Sequence, residues 1–212
     1  MKNFMRKRRA GGFTLIELMI VVAIVAILAL LAIFGVSKFL ATAKTAEATN
    51  TIGQINKLAI QAYDHESGVA ELAVTGGAST QTSHSLCGKS AAIPAALTSV
   101  GNRKYTPNPA ADYQALVAGT NDNQNGWRCL KHEMTEPQYY QYQYNGTVGT
   151  PAAVATQLGG TLPGGITPHW LAEAQGDLDG DTNASHFTTG GAISAQKTAV
   201  AFTQIVVENP EE

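Results

Sequence analysis

The sequence predicts an α+β protein: a long N-terminal α-helix packed on a C-terminal antiparallel β-sheet head. Three observations predict it. Residues 18–36 are 19 consecutive residues without a polar side chain, Gly35 being the neutral exception, and helical patterning continues beyond them to about residue 66. After residue 138 the pattern changes to strand-like alternation, with no helix between the strands, which favours an antiparallel sheet. Charged residues are only 14 % of the 212, below the usual quarter, and 21 glycines point to a body rich in turns.

The first element is a basic leader. Lys2, Arg6, Lys7, Arg8 and Arg9 precede Gly11, with no acid among them. The formal charge of the chain is −2, but the part after residue 12 carries 9 basic against 16 acidic residues, or −7. An acidic body disfavours a phosphate-binding surface and argues against nucleic acid as a partner.

The apolar run comes next. Its length suits a helix crossing the hydrocarbon core of a bilayer. The basic cluster ahead of it belongs on the cytoplasmic side, which puts the C-terminus outside. An ordinary secretory signal peptide has a shorter apolar core followed by small residues at the cut. Here the small pair, Gly11-Gly12, precedes the run, so a cut there removes only the leader.

Glu17 interrupts the start of this greasy segment. It can favour the positive end of the helix dipole. A cut after Gly12 gives it a second partner, because it frees an amine on Phe13, one helical turn away on the same chain or on a neighbour. A carboxylate costs less to bury beside a cation, and an acid within a membrane segment is a functional hypothesis by default.

The stretch Gly12-Phe13-Thr14-Leu15-Ile16-Glu17-Leu18-Met19-Ile20-Val21-Val22 resembles the class III signal of type IV pilins and type II secretion pseudopilins. Basic leader, Gly, Phe and Glu all fall in register, over about the first 45 residues. The resemblance implies cleavage between Gly12 and Phe13 by an inner-membrane prepilin peptidase, with N-methylation of Phe13. It implies that Glu17 pairs with the Phe13 amine of an adjacent subunit during filament assembly. The family often has Gly where Ala26 stands and Pro where Phe34 stands. Phe34-Gly35 is a weaker break, since Gly costs a helix only about 1 kcal/mol relative to Ala.

The helix continues over residues 37–67. Phe39, Leu40, Ala43, Ala46, Ile52, Ile55, Ala59 and Ala62 form an apolar stripe, read as the face that packs onto the sheet, with Lys44, Glu47, Asn50, Lys57 and Asp64 largely off it. Ser67-Gly68 is the expected stop. From residue 13 to 66 such a helix is about 80 Å long. The chain thus divides into a cleaved leader (1–12), a transmembrane and assembly helix (13–36), its amphipathic continuation (37–67) and an extracytoplasmic β head (68–212).

Within the head, residues 94–97 and 110–117 each suit a short helix. Residues 137–146 alternate Tyr140, Tyr142 and Tyr144 with Gln141 and Gln143, a strand closed by an Asn145-Gly146 turn. "TPHWLAEAQGD" reads as a second strand, "SHFTTGG" as a third and "AFTQIVVE" as a weaker fourth, with a loop over 147–166.

Three constellations have chemical content. Asp177, Asp179 and Asp181 have the i, i+2, i+4 spacing of the front of a calcium loop. Thr182 and Thr188 stand where an EF-hand has Gly and Glu, and the alternative is an acidic hairpin loop closed by Asx turns. Major pseudopilins carry a calcium loop near the C-terminus, so the resemblance favours Ca²⁺ here. Cys87 and Cys129 are each three residues from a histidine, His84 and His132, a set that suits zinc. The alternative is a Cys87–Cys129 disulfide, favoured by the extracytoplasmic placement and common in pilin heads. Tyr139, Tyr140, Tyr142 and Tyr144 suit either a ligand-stacking face or cross-strand packing on a half-buried sheet. His65, His169 and His186 are isolated and read as ordinary surface or hydrogen-bonded residues. No catalytic or nucleotide-binding fingerprint appears, so the chain reads as no enzyme.

The function these readings point to is a structural subunit of a type IV pilus-like filament. It would be stored in the bacterial inner membrane and polymerised outside the cytoplasm. Its partners would be the prepilin peptidase, the pilus or type II secretion assembly machinery, membrane lipid before assembly, and copies of itself. A type II secretion pseudopilin, a filament-tip binding protein and a membrane-anchored enzyme are the rivals.

Overall fold

Apolar residues at helical spacing, with no proline before Pro94, let one helix run for 50 residues. This is α1, Leu15–Asp64. The computed structural model describes residues 12–65, 84–114, 125–146 and 168–209. The leader up to residue 11, the expected stop at Ser67-Gly68 and the loop over 147–166 lie outside the described residues. The helix passes through Phe34-Gly35 without a break.

The chain forms two compact units, one up to Ala43 and one from Lys44 onward. In the first, the large apolar side chains from Phe13 to Leu40 are all exposed. In the second, α1 contributes Ala48, Thr51, Ile52, Ile55, Asn56, Ala59 and Tyr63 to the interior. The expected stripe is therefore corrected at its near end. Ala46 is exposed, Ala48 is buried, and Glu47 is half-buried rather than off the packed face.

Five antiparallel strands form one sheet: β1 (Gln141–Gly146), β2 (Trp170–Gly176), β3 (Ser185–Ile193), β4 (Ala199–Ala201) and β5 (Val206–Glu208). The order is β1-β2-β3, and β4 and β5 both pair with β3, β4 at Gly191–Ile193 and β5 at His186–Thr188. The α+β class and the antiparallel sheet are as the sequence predicts. Two details differ. Asn145 and Gly146 continue β1, paired with Leu171 and Trp170, so no turn closes there. The expected fourth strand is two short ones, β4 and β5.

Side chains alternate across the sheet. Trp170 faces α1, its indole Nε1 donating to Asn56 Oδ1 at 2.7 Å. Its cross-strand partner is Gly191, where a Cβ would overlap the indole ring, so the close approach requires glycine. Tyr140, Tyr142, Tyr144, Ala172, Ala174 and Phe187 share the core with Ile52, Ile55 and Ala59. On the other face, Gln141 Nε2 donates to the Pro94 carbonyl at 2.6 Å, and Gln143 Nε2 to that of Ser90 at 3.5 Å. The 90–94 stretch also pairs along β1: Ser90 N–H bonds the Tyr144 carbonyl, and Ile93 exchanges backbone bonds with Tyr142. β1 is therefore buried on both faces, not half-buried as alternation alone suggests.

The expected helix over 94–97 is instead a 3₁₀ turn at Leu97–Ser99. The one over 110–117 begins as α2, Pro109–Asp112, with Asn108 as N-cap accepting from Ala110 N–H at 3.2 Å. Residues 115–117 lie outside the described residues. A further helix, α3 (Gly126–Leu130), carries Cys129.

Candidate functional site

The start of α1 is built by two side chains. Thr14 donates to Glu17 Oε2 twice, from its backbone N–H and its hydroxyl, each at 2.8 Å. Glu17 N–H returns a bond to Thr14 Oγ1 at 3.3 Å. This is a reciprocal capping box, which satisfies amide groups that a helix start leaves without partners. The T-x-x-E spacing that signals it is in the sequence, and reading Glu17 only against a future amine misses Thr14. Phe13 is 88 % exposed, and a Cβ on Gly12 would meet no atom within 4 Å. None of the most apolar 18-residue window of α1 is buried within the chain. The region thus presents an accessible glycine–phenylalanine bond and a carboxylate already oriented by a neighbour. The stretch of α1 behind them, up to Leu40, leaves its large apolar side chains exposed.

The cysteines are bonded to each other, Cys87 to Cys129, with Cα atoms 5.7 Å apart. The four-ligand zinc set does not form, because the bond takes both sulfurs and the histidines go elsewhere. His84 Nδ1 lies 2.9 Å from the Tyr63 carbonyl in the last turn of α1. His132 is buried, packed edge-on to Tyr113 and against Trp127, and its Nε2 has no hydrogen-bond partner among the described residues. Burial pushes its pKa down to about 4, against a smaller opposing pull from Glu133.

Asp177, Asp179 and Asp181 converge, each offering a carboxylate oxygen within 4.8 Å of the others. Backbone amides occupy much of this oxygen. Asp177 accepts from Gly180 N–H at 2.7 Å and Thr182 N–H at 3.2 Å, Asp179 from Asp181 N–H at 3.1 Å, and Asp181 from Asn183 N–H at 2.7 Å. Gly180 and Thr182 take positive φ to make these turns. The donor chemistry fits a hard cation, and the geometry is also complete as a set of Asx turns.

The tyrosine row divides. Tyr140, Tyr142 and Tyr144 are fully buried, so the ligand-stacking reading fails for them. Desolvation raises the pKa of each. Tyr142 Oη lies 3.4 Å from Glu47 Oε1, whereas Tyr144 Oη has no partner among the described residues. Tyr139 is only half-buried. Its N–H donates to Glu47 Oε1 at 2.8 Å, and the ammoniums of Lys44 and Lys104 lie 5.0 and 4.5 Å from its ring centroid. Desolvation raises the Glu47 pKa, and the Tyr139 amide, Lys104 and Tyr142 partly offset this. Of the isolated histidines, His169 Nδ1 accepts from Ile193 N–H at 2.8 Å, while His186 is half-buried and its Nδ1 has no partner among the described residues.

Residues 7–33 match the family model described as the prokaryotic N-terminal methylation motif. No curated protein and no solved structure matches the chain.

Proposed function

From a chain that opens with the class III signal of type IV pilins and pseudopilins, we propose that it is a structural subunit of a type IV pilus-like filament. Prepilin peptidase cuts between Gly12 and Phe13, and Phe13 is then N-methylated. The subunit waits in the inner membrane with its head outside the cytoplasm. During assembly, the apolar face of residues 13–36 leaves lipid for neighbouring helices, and Glu17 pairs with a neighbour's Phe13 amine to set the register.

The observation that carries this reading is the pairing of a matched methylation signal with an α1 whose first unit buries none of its apolar surface. The capping box adds a physical detail. Thr14 keeps the Glu17 carboxylate hydrogen-bonded in a chain with no Phe13 amine, so the uncut subunit already has a partner for it. The test is intact mass and N-terminal sequencing of the mature chain. Methylated Phe13 as the first residue is expected, and a bulky residue at Gly12 should leave the leader attached. A mature N-terminus beyond residue 36 would overturn the reading in favour of an ordinary signal peptide. Mass spectrometry of sheared surface filaments separates a pilus subunit from a secretion pseudopilin.

Calcium belongs to the same proposal. Three carboxylates within five residues repel one another, and Ca²⁺ would offset that charge. Binding only the folded chain raises stability by about 2.7 kcal/mol at a hundredfold excess over Kd. A melting temperature that rises with calcium, falls with chelator and ceases to respond in Asp179→Ala supports the site. Identical curves at high calcium leave the Asx turns as the whole account.

A further inference from the structure

The ring of Tyr139 has two lysine ammoniums near it. Lys44 on α1 and Lys104 both place their ammoniums within cation–π range of its ring. Arg103, adjacent to Lys104, is exposed, its guanidinium on the carbonyls of Thr98 and Ser99. The acid beside them, Glu47, turns inward to the Tyr139 amide and the Tyr142 hydroxyl. Lys104 is exposed and Lys44 half-buried, in a body with 9 basic and 16 acidic residues after position 12, and the Lys104 charge also acts on the Glu47 carboxylate.

Its position along the chain says what it meets. Lys44 follows the last residue of the apolar run, Val36, by eight residues. No conformation stretches that length beyond about 28 Å, and a helix shortens it to about 12 Å. The headgroup layer of a bilayer is about 5–7 Å deep on each side, and charge is felt over a Debye length of about 8 Å beyond it.

We propose that Lys44, Lys104 and Tyr139 form a docking surface for the anionic headgroups of the membrane that residues 18–36 cross. This rests on the membrane reading of that segment. An ammonium takes a headgroup phosphate oxygen in a charge-assisted hydrogen bond, and tyrosine is enriched in the interfacial layer. The surface would steady the head against the leaflet before assembly, and leaving the membrane would release it.

The test uses the full-length chain in vesicles of phosphatidylcholine alone or with phosphatidylglycerol. Flotation first establishes whether the chain is in the bilayer. Lysine acylation rates are then followed by mass spectrometry, with exposed Lys57 and Lys197 as internal references. Lys44 and Lys104 should react about fivefold more slowly in the anionic vesicles, which corresponds to about 1 kcal/mol per lysine at such a surface. The protection should disappear at high salt, and the references should not change. Equal labelling in both vesicles, with the chain still floating, overturns this surface and leaves the membrane reading standing. Protection that grows with protein density and vanishes in an Asp179→Asn/Asp181→Asn variant assigns the lysines to a second copy and also overturns it. Failure to float removes the membrane reading itself.

Discussion

Ile24 and Ile55 lie on one helix, yet Ile24 is 52 % exposed and Ile55 is completely buried. The first stands in a stretch where every neighbour around the cylinder is apolar. The second stands where apolar residues share the helix with Glu47, Thr51 and Asn56, each turned to a definite role. Asn56 holds the Trp170 indole, and Glu47 holds the Tyr139 amide. Apolar surface supplies attraction but little register, because one greasy contact substitutes readily for another. Buried polar groups lose energy unless their own partners are met, so they fix which residue faces which. The lower part of α1 has several such groups. Between Leu15 and Val36 the helix has a single ionisable residue, Glu17, the one proposed above to set the register.

The harshest way to break the contrast is Glu17→Val. It makes residues 15–36 uniformly apolar and should leave insertion and cleavage largely intact while abolishing filaments. Loss of one partner from a buried pair costs about 3–5 kcal/mol per contact. Normal filament yield by electron microscopy would show that register comes from elsewhere.

A matched pair of truncations sharpens the contrast directly. Ile55→Ala should lower the stability of the second unit by about 2–5 kcal/mol in denaturant titrations of the full chain in detergent, as filled core positions do. Ile24→Ala should change that same transition by less than about 0.5 kcal/mol.

Acid probes the buried polar groups. The folded-state pKa of His132 is depressed to about 4, against about 6.5 in the unfolded chain. The unfolded chain therefore binds the proton first, and stability falls as pH drops from 6.5 toward 4. The loss attributable to this residue is about 2–3 kcal/mol across that window. His132→Phe should flatten the pH dependence by that amount, and parallel curves for the two proteins would reject the assignment.

The smallest effect has the opposite sign for neighbouring tyrosines. Tyr142→Phe removes a hydroxyl that meets Glu47 and should cost about 0.5–1.5 kcal/mol. Tyr144→Phe removes a buried hydroxyl without a partner among the described residues and should be neutral or slightly stabilising. Equal losses in both would mean that partner satisfaction does not separate these sites.

The long helix, the membrane segment and the three main strands were legible because each repeats a pattern over many residues. What was not legible turned on single contacts. Asn145-Gly146 has the composition of a tight turn, but Gly146 pairs with Trp170 and a Cβ there would press on the Tyr144 ring. Its glycine serves packing rather than turning. α3 has five residues, too few for a period, so the element that carries Cys129 gave no signal. Glu47 looked like a solvated residue until the sheet brought Tyr139 to it from 92 positions away. At the helix start, Gly12, Phe13 and Glu17 form a local motif, whereas the role of Thr14 rests on the T-x-x-E spacing of a capping box alone.

The backbone bonds along β1 bear on how such a chain avoids the wrong polymer. A molecule crowded among its own copies has two ways to join them, flank to flank through helices or rim to rim through open strands. An open rim offers unpaired amides and carbonyls to any extended chain. Ser90 and Ile93 take up those of Tyr142 and Tyr144 on one side of the sheet. On the other side, β4 and β5 divide the rim into pieces of three residues each. Among the described residues neither margin offers a long template, so uncontrolled stacking through open strands has little to start from.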